Sequence, residues 1–404
     1  MLILVINCGS SSAKYQLFDL AKRRSLALRR CSVPMVSPST SLGMVRGVVS
    51  MSNHGVEPLA KGLIERIGQP GYCENHYEAI ALIVDALTDK KTGVIKSKHE
   101  ISGIGHRVVH GGEEFKTSTF ITGKVIKSIE KYAELAPLHN PPSLSGIRAC
   151  LDILKGIPQA AVFDTSFHQT MPEKAFLYGL PYKYYEKYGI RKYGFHGTSH
   201  RWVAKAAAGE LNRPLERLKI ITCHLGNGCS MAAVDRGESV DTTMGFTPLE
   251  GLLMGTRSGD LDPAVVFYLM KKEGLSSRDI SDILNKKSGF LGISGISDMR
   301  DLLKMSKSKN AKASARAKLA IEIFIYRIEK YIGAYQAAMK GLDAVVFTAG
   351  IGEHNPWLVK RIKKDMKSVV NKRVKFLVIP TNEELLIARD TYEIISPSTK
   401  LRKG

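Results

Sequence analysis

Two short segments of this chain share one pattern, and that pattern constrains the fold more than any other feature. The segment LILVINCGSSSAKYQLFDL at residues 2–20 and the segment LKIITCHLGNGCSMAAVDRGE at residues 218–238 each place a small polar turn between two apolar runs. Apolar runs of this length are typical of β-strands joined by a tight turn. One pairwise likeness does not establish a repeat, but it predicts a duplicated strand–turn–strand module.

The first of these turns consists of Gly9 and three serines, with Asn7 before it and Lys14 after it. Gly and Ser are ordinary turn residues, so the stretch has a purely structural explanation. A phosphate site would use the same residues, because small side chains let backbone N–H groups approach a phosphate while Lys14 adds a positive charge. Taken alone, the stretch favours the structural explanation.

Strand-like and helical patterns alternate along the rest of the chain. Strand patterns occur in ISGIGHRVVHGG, in QAAVFDTSFH and at 343–348, and helical patterns occur in HRWVAKAAAGEL, after Pro356 and in RAKLAIEIFIYRIEKYIGAYQAAM. This alternation predicts an α/β fold. In the last helix we predict an apolar stripe that serves as core or subunit contact, made of Leu319, Ile323, Tyr326, Ile328 and Ile332.

Length and hydropathy exclude several classes of protein. A chain of 404 residues is expected to form two domains. No apolar run is long enough to span a bilayer, and the N-terminus lacks the basic region of a signal peptide. The sequence therefore predicts a cytoplasmic protein without a membrane partner.

The net charge of +21 raises the question of a nucleic-acid partner. The densest basic stretches, 304–318 and 360–375, lack interleaved aromatic residues and are typical of solvated helix or loop faces. We interpret the positive charge as spread over the solvated surface, where it weakly attracts anions.

Two histidine pairs have a spacing that is seen in zinc sites. His196 and His200 lie four residues apart in YGFHGTSH. This pair lacks the adjoining Glu of a metalloprotease helix, and Gly197 disfavours a helix at that point. Thr198 or Ser199 is expected to cap the helix that follows.

The second histidine pair and the cysteines also lack a metal-ligand pattern. His106 and His110 lie on a predicted strand, where residues four apart share a face but stand too far apart to chelate one ion. The six cysteines are scattered and are predicted to be reduced, mostly buried thiols. A zinc site is therefore disfavoured.

Two arginines and one aspartate indicate a specific chemistry. Arg107 follows an apolar strand beside a Gly pair, and Arg257 lies among small residues in MGTRSGDLDP. Either arginine alone is explained as a side chain that points into solvent. Two accessible arginines near Gly turns are suited to bind a carboxylate and a phosphoryl group, because a guanidinium donates two parallel hydrogen bonds. Asp164 ends the run AAVFDT, where its carboxylate either caps the next segment or holds a hard cation such as Mg²⁺. Together these features predict phosphoryl transfer.

Nine segments, taken in order, resemble the signature segments of the acetate kinase family. They are VINCGSSSAKYQLFD, GHRVVHGG, LAPLHNPP, FDTSFHQTMP, YGFHGTSH, HLGNGCSMAAV, TPLEGLLMGTRSGDLDP, FTAGIGEH and IPTNEELLIARDT. The resemblance implies an α/β fold of two duplicated actin-like (ribonuclease H-like) domains with a nucleotide cleft between them. The expected domains are 1–165, joined by the C-terminal segment 384–404, and 166–383.

The same resemblance implies a reaction and its participants. The family transfers the γ-phosphoryl group of ATP reversibly to acetate, giving acetyl phosphate and ADP, with Mg²⁺ or alternatively Mn²⁺ as cofactor. Direct in-line transfer is expected, because a carboxylate substrate is already ionised and needs no general base. The resemblance also implies that the protein forms a homodimer and that it has no nucleic-acid partner.

The resemblance also assigns roles to residues of this sequence. The catalytic residues are Asp164, Arg107, Arg257 and His196, of which the arginines bind carboxylate and phosphoryl groups and His196 donates a hydrogen bond to the phosphoryl group. Asn7 and Glu383 are assigned to the metal, together with Asp164. Acetate is assigned to Arg107, Val109, Leu138, Phe195 and Pro248, the last four forming a small pocket for its methyl group. The nucleotide is assigned to Asn7, Lys14, His224, Leu225, Gly226, Asn227, Gly228, Asp298, Met299, Arg300, Gly350, Ile351, Gly352, Glu353 and His354.

Two positions depart from the family pattern, and three alternatives stay open. His354 stands where the family commonly has Asn, and Phe246 stands where it usually has Met, near the rim of the methyl pocket. Propionate kinase is the alternative within the family. A nucleic-acid binder with an actin-like fold and a non-catalytic actin-like assembly module are the alternatives from other classes.

Overall fold

The computed structural model describes residues 1–20, 56–137 and 139–396, which form two compact units. The first comprises the described parts of Met1–Ser166 and Asn382–Gly404, and the second is Phe167–Thr381. The strands are β1 (Leu2–Gly9), β2 (Ser12–Asp19), β3 (Ala60–Glu65), β4 (Ile101–Val108), β5 (Thr119–Phe120), β6 (Gln159–Phe163), β7 (Lys219–Leu225), β8 (Cys229–Asp235), β9 (Glu238–Thr242), β10 (Ala344–Thr348) and β11 (Lys375–Val378). The α-helices are α1 (His76–Thr88), α2 (Gly123–Lys131), α3 (Asn140–Ile153), α4 (Glu173–Phe176), α5 (Lys183–Tyr188), α6 (Gly197–Glu210), α7 (Pro263–Glu273), α8 (Ser277–Asp282), α9 (Gly289–Ser294), α10 (Met299–Met305), α11 (Ala311–Met339), α12 (Ala349–His354), α13 (Pro356–Asp365) and α14 (Glu383–Ile395).

Each unit is built on one mixed β-sheet, and the two sheets have corresponding strand orders. The first sheet has the order β3-β2-β1-β4-β6-β5 and the second has the order β11-β10-β7-β8-β9. In each sheet, an antiparallel meander of three strands is extended by two parallel strands. The order β3-β2-β1-β4-β6 in the first sheet therefore corresponds to β9-β8-β7-β10-β11 in the second. The predicted α/β fold and its two strand–turn–strand modules, β1–β2 and β7–β8, are confirmed.

The central strands of the first unit are apolar at successive residues. Ile3–Ile6 of β1 are at most 1% exposed. Helices α3 and α14 both contact β1 and β4. Parallel strands that are covered in this way read as continuous apolar runs rather than alternating ones.

The second unit packs α6, α11 and α12 against β7, which is buried from Ile220 to Leu225. As a core stripe, the prediction on α11 is wrong in part, because Leu319 and Tyr326 are 54% and 60% exposed in the single chain; their role as a subunit contact stays a prediction. The buried face runs through Ala317, Ala320, Ile321, Phe324, Ile325, Ile328 and Ile332. This face includes two alanines, whereas Leu319 and Tyr326 lie on the opposite face of the helix.

Other local predictions are confirmed. The strand predicted at 343–348 is β10, and the helix predicted after Pro356 is α13, which has Pro356 in its first turn. Of the cysteines in the described part of the chain, four are buried and Cys73 is partly buried, and all five are free thiols; Cys31 lies outside it. Among the described residues, no helix is long and apolar enough to cross a bilayer.

Candidate active site

In the first unit, β4 and β6 bring Arg107 and Asp164 together. The two strands are parallel, and Val108 pairs with Phe163, so the residues beside this pair lie at the same end of the sheet. Arg107 donates to Asp164 from Nη2 at 2.7 Å and from Nε at 3.1 Å, and its Nη1 lies 3.7 Å from Glu383 Oε2. The Arg107 side chain is 21% exposed and that of Asp164 only 1%. Arg107 is therefore less accessible than predicted. The Asp164 carboxylate, predicted to cap a segment or to hold a cation, forms an ion pair with Arg107.

A second ion pair lies next to the first. Lys14 on β2 pairs with Glu384 in the first turn of α14. Asn7 on β1 stands directly opposite Lys14 in the hairpin register. The predicted phosphate and metal residues of the first unit thus lie on β1, β2 and α14 and, for Asp164, just past the end of β6. Glu384, which adjoins Glu383, was not among the predicted site residues.

The pKa values of this cluster reflect burial and neighbouring charge. Burial raises the pKa of Glu383 to about 7, assisted by repulsion from Asp164 and Glu384 and opposed by Arg107 and Lys14. Burial would lower the pKa of Arg107, but the Asp164 and Glu383 carboxylates raise it above its ordinary value. Arg107 therefore stays charged.

The segment after β4 differs from the prediction. The strand ends at Val108, so Val109 lies just past it and is partly buried, and His110 is not on the strand that carries His106. The ring of His106 bonds Gln159 Oε1 at 2.7 Å, and burial lowers its pKa to about 4. The residue Leu138, predicted for the methyl pocket, lies outside the described residues.

In the second unit, His196 occupies the position just before α6. The helix begins at Gly197, so the prediction that Thr198 or Ser199 caps it is wrong; both lie in its first turn. Gly197 is tolerated there because glycine costs a helix most in its interior, and Gly197 is the first helical residue. His196 has a left-handed backbone with φ 57°, which is unusual for a residue other than Gly and marks a constrained position.

The ring of His196 is held by two neighbours. Its Nδ1 lies 2.9 Å from Ser230 Oγ, and the ring stacks on His224 with centroids 4.2 Å apart. The same Ser230 Oγ lies 2.8 Å from His200 Nε2, and His200 Nδ1 lies 2.7 Å from Thr222 Oγ1. Both nitrogens of His200 are thus engaged by hydroxyl groups, an arrangement unlike a zinc ligand.

In the described part of the chain, Arg257 has no acidic partner. Its Nη1 donates to Pro248 O at 3.1 Å and approaches Met254 Sδ at 3.8 Å. Within the described residues, no carboxylate oxygen forms an ion pair with it. Burial lowers its pKa from the ordinary arginine value.

Gly228 shows how close Arg257 and His196 are to each other. A Cβ placed on Gly228 would lie 3.4 Å from Arg257 Nη1 and 3.7 Å from His196 Nε2. Both side chains therefore flank the turn between β7 and β8. Phe195 is buried beside His196, with its carbonyl 3.0 Å from His168 Nε2.

The three predicted nucleotide segments come together in the second unit. A Cβ on Gly226 would lie 3.8 Å from Ala349 Cβ at the start of α12, which contains Gly350–His354. Gly255 N bonds Asn227 O at 3.2 Å, and a Cβ on Gly255 would lie 3.1 Å from Ser297 O, next to Asp298. The β7–β8 turn is thus the common neighbour of the other two segments.

The ends of these segments are fixed by local hydrogen bonds. Asp298 caps α10 by accepting from Arg300 N at 2.8 Å, and it also pairs with the Arg300 guanidinium. Glu353 Oε1 accepts from Ala349 N at 2.8 Å and from Thr381 N at 3.2 Å. The two departures from the family pattern have simple contacts: His354 Nδ1 lies 2.9 Å from Gly350 O, and Phe246 N donates to Tyr178 OH at 2.9 Å.

Comparisons with known proteins agree with these motifs. The profile of the Acetokinase family matches residues 2–369. The acetate kinase of Halothermothrix orenii is 51% identical, over 98% of this chain and 100% of that protein.

Two crystal structures are also similar to this chain. The acetate kinase of Porphyromonas gingivalis has a TM-score of 0.84 and 40% identity, covering 98% of this chain and 100% of its own. A propionate kinase of Francisella tularensis has a TM-score of 0.82 and 37% identity, covering 97% and 99%. These neighbours have the duplicated actin-like fold, and so does this chain.

Proposed function

Because this chain belongs to the acetokinase family, we propose that it is a kinase that transfers the γ-phosphoryl group of ATP reversibly to acetate, giving acetyl phosphate and ADP. The observation that carries the proposal is the pairing of Arg257 with His196 beside Gly228. Transfer of a phosphoryl group is catalysed mainly by positioning and by neutralising spread negative charge. An arginine whose charge is not used by a carboxylate supports that role.

In the second unit, we assign the transferring phosphoryl group to Arg257 and His196. The guanidinium donates along two parallel directions, and its stabilisation of the charge is strongest in the partly buried setting found here. His196 donates one hydrogen bond to the same group. No residue is assigned as a phosphorylated nucleophile, so the transfer is direct and in line.

In the first unit, we assign the acetate carboxylate to Arg107 and a divalent cation to Asp164, Glu383 and Asn7. The described residues hold no cluster of three His, Cys, Asp or Glu side chains around one point. The buried carboxylate of Asp164, the partly buried carboxylate of Glu383 and an amide nevertheless fit Mg²⁺, which prefers oxygen ligands and keeps several of its waters. When bound, Mg²⁺ would neutralise charge on the ATP phosphates.

The carboxylates also act on the chain's own residues. Asp164 holds the guanidinium of Arg107 with two hydrogen bonds, which fixes the direction of the remaining donors. Lys14 balances Glu384 at the start of α14. We propose that Lys14 shifts toward the nucleotide phosphates when these are bound.

We propose that ATP is held by the three segments around the β7–β8 turn: His224–Gly228, Asp298–Arg300 and Gly350–His354. Their proximity within the second unit supports this assignment. We propose that Val109, just past β4 in the first unit, contacts the methyl group of acetate.

Propionate kinase is the second candidate function. The similarity to the propionate kinase of Francisella tularensis, at a TM-score of 0.82, is nearly as high as that to an acetate kinase. The two functions differ by one methylene of substrate, which a pocket distinguishes only modestly.

A single assay tests the proposed reaction. ADP formation is measured with acetate, propionate and butyrate, each with and without Mg²⁺. We expect Mg²⁺-dependent ADP formation that is fastest with acetate. Faster turnover of propionate would favour the second candidate, and no turnover with any of the three acids would refute both.

We further propose that the chain forms a homodimer through α7. No residue of α7 is buried, and its Val265, Phe267 and Tyr268 are 43%, 70% and 61% exposed. A cluster of large exposed apolar side chains marks an interaction site, and a two-fold axis lets one such helix cover its own copy.

Sedimentation analysis tests the dimer. Wild-type protein is expected as a dimer and Phe267→Glu as a monomer, whereas Leu82→Glu, a change at an exposed leucine of α1, should leave the dimer intact. A monomeric wild type, or a dimer in the Phe267→Glu variant, would contradict the proposal.

A further inference from the structure

Four side chains of the second unit form a continuous chain of hydrogen bonds, which we term the relay: Thr222, His200, Ser230 and His196. The consecutive distances are 2.7 Å from Thr222 Oγ1 to His200 Nδ1, 2.8 Å from His200 Nε2 to Ser230 Oγ, and 2.9 Å from Ser230 Oγ to His196 Nδ1. Thr222, His200 and Ser230 have no exposed surface. Bulk water therefore does not compete for these bonds.

With the Ser230 hydroxyl donating to one of its two histidine partners, the protons of the relay can run in two directions. Each hydroxyl donates once, and a neutral imidazole has one N–H and one bare nitrogen. His200 is neutral, because burial holds its pKa well below the ordinary value, helped by His168 and His224. In the forward direction, Thr222 donates to His200, His200 donates to Ser230, and Ser230 donates to His196 Nδ1. In the reverse direction, every donor and acceptor is exchanged.

Thr222 decides between the two directions. In the reverse direction its hydroxyl proton would have to point to Ala232 O, which lies 3.5 Å from Thr222 Oγ1, at the limit of a hydrogen bond. In the forward direction the same proton goes to His200 Nδ1 at 2.7 Å, and all three short bonds are made. A buried donor without a good acceptor is costly, so the forward direction is favoured.

We infer that Thr222, His200 and Ser230 are positioning residues that hold neutral His196 in the tautomer with its proton on Nε2. A histidine's tautomer is set by the bond that its other nitrogen makes, and here Nδ1 accepts from Ser230. The Nε2 atom lies beside Gly228, which Arg257 also approaches. His224, stacked at 4.2 Å, fixes the ring plane.

The consequence rests on the proposed function. His196 then donates a hydrogen bond to the phosphoryl group without having to carry a positive charge. A donor that is preorganised in this way needs no rearrangement as charge develops during transfer. The relay would thus keep His196 competent at a pH where free imidazole has lost its second proton.

Nitrogen NMR of histidine-labelled protein tests the tautomer without any substrate. At about pH 9, well above the ordinary imidazole pKa of about 6.5, we expect His196 to show a protonated Nε2 and a bare Nδ1. The resonances are assigned by their absence from a His196→Asn variant. In Thr222→Val, which keeps the shape and removes the hydroxyl, the form protonated on Nδ1 should appear. A wild-type His196 protonated on Nδ1 would overturn the inference.

Kinetics of the same variants test what the tautomer does. Thr222→Val should lower kcat roughly 10- to 100-fold, less than outright removal of such a donor, while KM for acetate stays within about twofold. Thr222→Ser should restore both kcat and the Nε2 proton. The matched control is Thr391→Val in the first unit, where another fully buried hydroxyl bonds only to Ile387 O at 2.8 Å; it should change neither readout.

The two readouts separate failure of the inference from failure of the proposed function. An Nε2-protonated His196 in a protein that forms no ADP with acetate leaves the relay standing and removes the kinase assignment. If the protein forms ADP with acetate but its His196 is protonated on Nδ1, the kinase assignment stands and the relay is refuted. If Thr222→Val does not fold, the wild-type spectrum still decides the direction, and failure of Thr222→Ser to match it would count against the relay.

Discussion

Arg107 and Arg257 are the same residue type in opposite electrostatic settings. The guanidinium of Arg107, in the first unit, is bound by Asp164 at 2.7 Å and faces Glu383 at 3.7 Å. That of Arg257, in the second unit, contacts a carbonyl oxygen and a thioether, without an acidic partner among the described residues. The first charge is largely used within the fold, and the second is left for a ligand.

This difference separates stability from function. Removing Arg107 would leave the buried carboxylate of Asp164 without its main counter-charge, which is strongly unfavourable. Removing Arg257 deletes a charge that the fold itself does not compensate. The two substitutions should therefore have similar effects on catalysis and different effects on folding.

The largest expected effect is on turnover. Arg257→Ala should reduce kcat by roughly 10³- to 10⁵-fold, the range for an arginine that stabilises a transferring phosphoryl group. Arg107→Ala should also lose most turnover, because it removes the residue assigned to the acetate carboxylate. Coupled ADP assays at saturating acetate and ATP measure this. Arg257→Lys is the matched control, since it keeps the charge and loses the planar fork. Near-normal turnover in either alanine variant would remove that arginine from the mechanism.

The next effect distinguishes the two arginines by stability. Arg107→Ala should lower the free energy of unfolding by about 3–5 kcal/mol, as expected when one partner of a buried ion pair is removed. Arg257→Ala should change it by less than about 1 kcal/mol. Urea unfolding measures both values.

A double variant sharpens this second test. Arg107→Ala combined with Asp164→Asn removes both charges and should be more stable than Arg107→Ala alone. Equal losses in the two single alanine variants, or no recovery in the double variant, would show that the difference in environment has no energetic consequence.

A smaller effect is expected for the metal. Asp164→Asn preserves size but removes the carboxylate charge, so the Mg²⁺ concentration for half-maximal activity should rise roughly 10- to 100-fold. Titration of activity with Mg²⁺ measures it, with Glu114→Gln as a control at an exposed carboxylate elsewhere in the first unit, which bonds Ser128 and Lys131. An unchanged Mg²⁺ requirement would leave Asp164 only as the partner of Arg107.

The smallest expected effect is on the preference for acetate over propionate, which tests whether acetate binds beside Arg107 of the first unit. Wild-type protein should prefer acetate over propionate about tenfold in kcat/KM. The added methylene of propionate would overpack a small pocket, and one methylene allows only modest discrimination. Val109→Ala, two residues from Arg107, should shrink or reverse that preference through the KM for propionate. A wild type that favours propionate, or an unchanged ratio in Val109→Ala, would show that Arg107 and Val109 do not border the acetate methyl group.

The sequence predicted those parts of the fold that depend on local patterns. The β1–β2 and β7–β8 hairpins follow from apolar runs around short turns, and β10 follows from a continuous apolar run. Errors arose where the outcome depends on tertiary packing. The apolar stripe of α11 was placed partly on the wrong face, and α6 begins at Gly197 because the chain holds His196 in a left-handed conformation.

Arg107, Arg257 and Asp164 were predicted from their residue types and neighbours, whereas the rest of the candidate site was predicted only through motif resemblance. Arg107 and Arg257 look alike in the sequence, because nothing local to Arg107 reveals that Asp164, 57 positions away, is its partner. The relay was missed for the same reason. One signal was present: Thr222 and Ser230 are hydroxyl residues inside otherwise apolar strands, and buried polar groups need partners.

The position of α14 has a consequence for biosynthesis. This last helix contacts β1, β4 and β6, and a Cβ on Gly105 of β4 would collide with Thr391 and Ile387 of α14. Ser118 also donates to Asp390 of the same helix. The first unit thus depends on a segment that the ribosome makes after the whole of the second unit, which is complete once Thr381 has emerged. The unit whose synthesis begins first therefore completes its fold after the other, and chains that terminate before Asn382 lack the contacts of α14 with β1, β4 and β6.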